Sequence, residues 1–264
     1  MRLTRATQTP SSKMMRMRIS QSLFLLVCFL FTTSSGFTEP ADEKKSTTDL
    51  IKLLLAQDLG TRKFPFPEVV VAATGKKVLP LSKHNSAHTL ILKEIHAAAN
   101  ATLKELNGTD SPVRKLRRIN EASRYFEDGI HTRLNTLENF SCEIPKNSKG
   151  NEQRSGYPDL LITHTAADGT KTRAYLDPKL FEEKSRASSL RTFYYEPRTH
   201  TNKIQHDAIH LLIGISHNGK NQAWTFTGWE ICDLSHFHVR LKAEFQASNK
   251  DLYRKPVLLP KTDN

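Results

Sequence analysis

The sequence predicts a mixed α+β (α/β) domain with helices packed on a central mixed sheet, and three observations carry that prediction. Apolar residues recur at helical spacing through Leu116, Ile119, Phe126, Ile130, Leu134 and Leu137. Two pairs of strand-like runs are each joined by a turn signal, Asp168-Gly169 in one and Asn218-Gly219 in the other. Helical patterns come first, mostly antiparallel strands follow, and no segment repeats. With 264 residues, 38% of them hydrophobic, the chain can bury a substantial core.

The first 36 residues stand apart from that domain. Arg2, Arg5, Lys13, Arg16 and Arg18 occur there without a single acid, followed by the apolar run 23–31 and small residues up to Gly36. This is the layout of a secretory signal peptide. The run is shorter than the roughly 20 residues that span a bilayer. The expectation is therefore cleavage near Gly36, a secreted or periplasmic protein, and no stable membrane span after processing. An uncleaved membrane anchor is the alternative, since 20–38 is uncharged. A linker at 37–45 leads to the domain at 46–264, divided into an N-terminal helical part (46–110) and a core (111–255).

Within the domain, Ser46 to Asp49 opens a helix with Ile51, Leu54 and Leu55 expected inward and Gly60 as its stop. The Phe64-Pro-Phe-Pro67 run suggests an extended lead into a short strand at 69–73, turning at Thr74-Gly75. A second helix is expected at about 86–106, stopped by Asn107-Gly108. A third is expected from Ser111, with Pro112 in its first turn, to about Leu137. Strands follow at about 140–144, on both sides of Asp168-Gly169, at 209–215, and at 224–231 after a turn at 217–220. The tail 239–253 suits a helix.

Losing 1–36 lowers the formal charge from +12 to +7, because five cations and no acid lie in that stretch. Such a surplus favours polyanions, nucleic acid above all, though it also serves solubility. Cys142 and Cys232 survive processing and could pair or remain buried thiols. Sequons at Asn100, Asn107 and Asn139 matter only in a eukaryotic secretory route.

The chemistry concentrates in the predicted hairpin. Its first arm begins Tyr157-Pro158-Asp159, and its second contains Asp177-Pro178-Lys179. Pairing the arms sets Asp159 beside Asp177, with Lys179 on the same side as Asp177. Two carboxylates and the Pro178 carbonyl are hard oxygen donors, suited to Mg²⁺ or Mn²⁺, and Lys179 could orient or activate water. That set fits phosphodiester hydrolysis. The bland alternative is a turn aspartate and a surface ion pair, but the arms read as buried strands, where an unpaired carboxylate is costly. At about 100° per residue, Glu127 falls roughly 55° from the apolar stripe of the third helix and borders the sheet, while Glu121 points away. Glu127 is thus the candidate accessory ligand. Proline at 178 implies an edge strand or a local distortion.

Other constellations are weaker. His206 and His210 have the spacing of helical zinc ligands, but they fall in a strand, about 13 Å apart. Arg191, Arg198, Lys203 and Lys242, interleaved with Tyr194, Tyr195 and Trp229, could line a DNA cleft. Taken singly, each suits a solvated surface charge.

The acid-acid-lysine set resembles the PD-(D/E)XK nuclease superfamily. Segments 189–195, Lys203-Ile204, 207–214, 229–235 and 241–249 resemble blocks of type II restriction endonucleases, so the likeness covers about 110–255. It implies a restriction-endonuclease-like core and metal-dependent cleavage of DNA by Asp159, Asp177 and Lys179, with Glu127 less directly, and it admits a homodimer. A secretory leader conflicts with restriction, which operates in the cytoplasm. The leading expectation is a secreted Mg²⁺-dependent DNA endonuclease. The alternatives are a non-catalytic polyanion- or DNA-binding protein of the envelope and an exported RNase or toxin nuclease.

Overall fold

The computed structural model describes residues 46–189, 193–221, 223–242 and 244–254. The expected leader at 1–36, the linker at 37–45 and Arg191 lie outside these. The elements, in order, are α1 (Thr47–Ala56), β1 (Lys63–Pro65), α2 (Phe66–Thr74), β2 (Val78–Leu79), α3 (Ser86–Leu106), α4 (Ser123–Leu134), β3 (Phe140–Glu143), β4 (Leu160–Thr165), β5 (Lys171–Glu182), β6 (Ala208–Asn221), β7 (Ala223–Asp233), β8 (His238–Arg240) and α5 (Asn249–Leu252). The six-stranded main sheet runs β3-β4-β5-β6, and β2 and β7 both pair with the far side of β6. β5 is parallel to β6, while β3, β4 and β7 pair antiparallel with their neighbours. β1 and β8 form a separate antiparallel ribbon. This is a mixed sheet flanked by helices, the restriction-endonuclease-like core the sequence implies.

The Asp168-Gly169 hairpin forms as expected. Ala166 N donates to Thr170 O at 2.8 Å, Thr170 N donates to Asp168 Oδ1 at 2.8 Å, and Gly169 takes φ 84°, which a side chain would resist. α3 occupies the predicted span. The Asn85 side chain caps it by accepting from Ala87 N and His88 N. Past its end, the Asn107 amide donates to Phe226 O (2.7 Å) and accepts from Phe226 N (2.9 Å), tying α3 to β7.

Five local expectations are corrected. The helix foreseen from Ser111 to Leu137 begins only at Ser123. Two 3₁₀ turns, Pro112–Lys115 and Ile119–Ala122, precede it, separated by extended residues at Leu116 and Arg118. The Leu116 carbonyl accepts from Trp224 Nε1 (3.0 Å) and Lys220 Nζ (2.8 Å), so bonds to the β6–β7 hairpin replace a helical turn. Residues 69–73 belong to α2, a helix with proline in its first turn and Gly75 as a left-handed cap. None of α1 is buried, so Ile51, Leu54 and Leu55 do not face inward. Asn218-Gly219 is no turn: pairing continues to Asn221↔Ala223, and register shifts near His217 and Lys220 absorb the glycine at φ 85° within the ladder. The tail is mostly extended, with β8 and one short helical turn.

Alternation divides the main sheet into two faces. Ala174 and Leu176 of β5, with Ile209, Leu211, Ile213 and Ile215 of β6, pack against α3 and α4 through Ile91, Ile95, Phe126 and Ile130. The opposite face presents Tyr175 and Leu212 to α2 and to Tyr157, Ile204 and Leu234. Cys142 is buried and Cys232 exposed, and both are free thiols. No helix of the described residues is long and apolar enough to cross a membrane.

Candidate active site

The site begins with the register of β4 and β5. Their ladder ends at Leu160↔Leu176, so Asp159, one residue before β4, lies across from Asp177. β5 continues beside β6 as far as Glu182↔His217. Pro178 therefore does not sit on an edge strand of the sheet. It comes where β5 has already lost β4 and keeps only β6, which reconciles proline with a central strand.

Tyr175, Asp177 and Lys179 share the face opposite α3 and α4. Asp177 is fully buried. The Lys179 ammonium lies 2.6 Å from Asp177 Oδ2, 3.4 Å from Asp159 Oδ2 and 3.4 Å from the Pro178 carbonyl oxygen. Three oxygens from two chain segments thus converge on one cation. Beyond that ammonium, neither Asp177 oxygen meets a hydrogen-bond donor among the described residues. A buried carboxylate in that condition is costly unless a cation compensates it.

Glu127 joins this group from α4. Its side chain is mostly buried, with Arg154 Nη1 3.7 Å from Oε2 and 3.1 Å from Asp128 Oδ1. Burial, then the neighbouring Asp159, pushes the Glu127 carboxyl up to about 7. Asp177 is likewise pushed up to about 7, by burial first and Asp159 second. Lys179 is raised despite its burial, because both aspartates favour its charge. Glu121, by contrast, is exposed.

The donor set suits a hard dication. Among the described residues no three His, Cys, Asp or Glu side chains come close enough to hold a metal ion. Mg²⁺ commonly takes only one or two carboxylates and keeps several waters. Asp159, Asp177 and the Pro178 carbonyl meet that requirement in kind and number.

The remaining candidates separate by burial. Lys203 is 1% exposed, which removes it from any cleft-lining role. Arg198 and Lys242 are exposed, each 2.5 Å from a glutamate two residues away, Glu196 and Glu244. Among the described residues His210 carries no zinc arrangement; its Nδ1 lies 2.8 Å from the Tyr157 hydroxyl and its Nε2 has no hydrogen-bond partner. Burial drives its imidazole down to about 3, so it is neutral. The Tyr157–His210 pair lies beneath Asp159, and sequence reasoning missed it, along with Arg154. The alternation of β6 places His210 opposite Tyr175 and could have revealed the first. Arg154 lies in a loop and leaves no periodic signal.

The fold and the acid-acid-lysine geometry define a restriction-endonuclease-like nuclease. Comparison with known proteins narrows this. The model of the MjaV type II restriction enzyme family matches residues 59–256, and the chain belongs to that family. A relative, the type II restriction enzyme MjaV of Methanocaldococcus jannaschii, is 29% identical over 230 residues, covering 84% of this chain and 99% of that protein.

Proposed function

We propose that this chain is a metal-dependent endonuclease that hydrolyses phosphodiester bonds of DNA outside the cytoplasm, using Asp159, Asp177 and Lys179. The convergence of Asp159, Asp177 and the Pro178 carbonyl on a single cation position carries this reading. Family membership supports DNA as the substrate. Mg²⁺ or Mn²⁺ held by Asp159, Asp177 and the Pro178 carbonyl, with Glu127 as an accessory donor, would neutralise charge at the scissile phosphate and ease ionisation of the attacking water.

The chain's own groups do the rest. Lys179 orients the attacking water and meets charge developing on the phosphate, a role for which a strongly held ammonium is suited. Asp177, fixed in the middle of a buried strand, loses no conformational freedom when a substrate arrives. The Tyr157–His210 pair braces the backbone just before Asp159. Secretion or a periplasmic location rests on residues 1–36, which precede the family match at 59. A homodimer would set two such sites against the two strands of a duplex.

Plasmid cleavage decides the activity. Supercoiled DNA should be nicked with Mg²⁺ and left intact with EDTA. Salt-sensitive DNA binding without cleavage by either wild type or Asp159→Ala would instead support a non-catalytic DNA-binding protein. Selective cleavage of RNA would point to an RNase. Amino-terminal sequencing of protein recovered outside the cytoplasm should find a start just after Gly36.

A further inference from the structure

One buried charge is unexplained by the contacts above. Lys203 is among the largest fully buried side chains, 1% exposed, in the segment that leads into β6. Its ammonium donates to the Gln153 carbonyl at 3.0 Å. Among the described residues, no carboxylate lies within ion-pair distance of it. Two further bonds join the same pair of segments: Ser148 Oγ to Thr199 O (2.6 Å) and Gln153 Nε2 to Thr201 O (3.4 Å). The loop so held carries Arg154, which faces Glu127 and Asp128, and continues to Asp159.

A neutral donor would make the bond to Gln153 at a far smaller desolvation cost than an ammonium with three protons to satisfy. What only a cation adds is its field. The acids near Lys203 are Asp159, Asp177 and Glu127, and its like-charged neighbour is Lys179. Including Asp128 with its partners Arg154 and Arg124, the latter 3.6 Å from it, the group holds four acids and four cations and is formally neutral only with Lys203 counted. Lys179 and Arg154 compensate acids by contact. Lys203 does so at longer range.

Burial lowers the Lys203 ammonium to about 8, which leaves it charged at pH 7. We infer that Lys203 is a positioning residue that acts as a resident counter-charge: it holds the 147–155 loop against the acid cluster, and its positive charge limits how tightly that cluster takes a divalent cation. This inference rests on the proposed metal dependence. A strut alone would require no charge. A counter-charge makes the opposite prediction for a neutral replacement, because a dication bound nearby would no longer be repelled.

The test is equilibrium binding of Mn²⁺ to the full chain without DNA, followed by electron paramagnetic resonance of free Mn²⁺, for wild type, Lys203→Gln, Lys203→Met and Lys203→Arg. Lys203→Gln keeps a donor and loses the charge. It should bind Mn²⁺ roughly tenfold more tightly than wild type, from the Coulomb energy of such a pair across a well-screened gap. Lys203→Met should also bind more tightly, and Lys203→Arg should restore a wild-type Kd. If the arginine fails to fold, the two neutral variants still decide. Equal or weaker binding by both neutral variants overturns the counter-charge and leaves a strut. Wild type that binds no Mn²⁺ at a site lost in Asp177→Asn overturns the metal-dependent reading as well, so the two failures are distinct.

Discussion

The two faces of the main sheet use the same strands for opposite purposes. On one, Leu176, Leu211, Ile213 and Ile215 meet α3 and α4 in a dry apolar layer. On the other, the intervening residues Tyr175, Asp177 and His210 place a carboxyl and two polar rings inside the protein, with the part-exposed Lys179 ammonium beside the carboxyl. Burial stabilises the first face by about 25 cal/mol per Å² of apolar surface. On the second it penalises ionised groups, and the penalty appears as a carboxyl held up to about 7 at Asp177. One face stores stability; the other gives some up to hold chemistry in a fixed place.

The largest expected effect belongs to the polar face. Asp177→Ala or Lys179→Ala should lower Mg²⁺-dependent plasmid nicking by about 10²–10³-fold, while circular dichroism shows an unchanged fold. Retained activity in either would dissolve the distinction between the faces. The apolar face should behave the other way. Ile213→Ala should cost about 2–4 kcal/mol in urea unfolding and leave the remaining folded protein's nicking rate near wild type.

A finer comparison comes from pH. In the fold Asp177 keeps its proton up to about 7, whereas the unfolded chain releases it near its ordinary value of 3.8. Between these values the folded state binds more protons, so without metal this group's contribution to stability falls as pH rises from about 4 to 7. Asp177→Asn, which cannot ionise, should therefore become more stable than wild type across that window. The gap should reach about 1–3 kcal/mol and then stay level above pH 8, without metal. His210 works in the reverse direction. It stays neutral to about 3, so its contribution is lost as pH falls below about 6.5, where the unfolded imidazole gains a proton. A stability difference between Asp177→Asn and wild type that is flat in pH would show that burial does not raise this carboxyl.

The smallest effect tests the brace. Tyr157→Phe removes the hydroxyl that His210 Nδ1 faces, leaving both ring nitrogens unpartnered, and should cost about 1–2 kcal/mol. Thermal unfolding without metal measures it, and no change would show that the buried imidazole needs no partner.

The same contrast explains what the sequence disclosed. Alternation and turn chemistry are local, so the hairpin, α3 and the opposition of Asp159 to Asp177 were legible. So was the place of Glu127 on α4, although Glu121, which the same phase argument set aside, lies in the 3₁₀ turn before that helix. Long-range bonds were not. Leu116 has an apolar, helix-compatible side chain, but its carbonyl is taken by Trp224 and Lys220, more than a hundred residues later. Asn218-Gly219 carries a strong turn signal that the ladder absorbs as an irregularity, because pairing of β6 with β7 continues beyond it. Lys203 reads as a surface cation from its type, and its burial against the Gln153 carbonyl, fifty residues away, leaves no local signal.

The proposed divalent-cation site at Asp159, Asp177 and the Pro178 carbonyl is faced by the Lys179 ammonium. Anomalous diffraction from crystals soaked in Mn²⁺ tests it most directly. One strong peak is expected at about 2.0–2.3 Å from oxygens of both aspartates, absent in Asp177→Asn. No peak there under saturating Mn²⁺, or a peak whose ligands include neither aspartate, would contradict it.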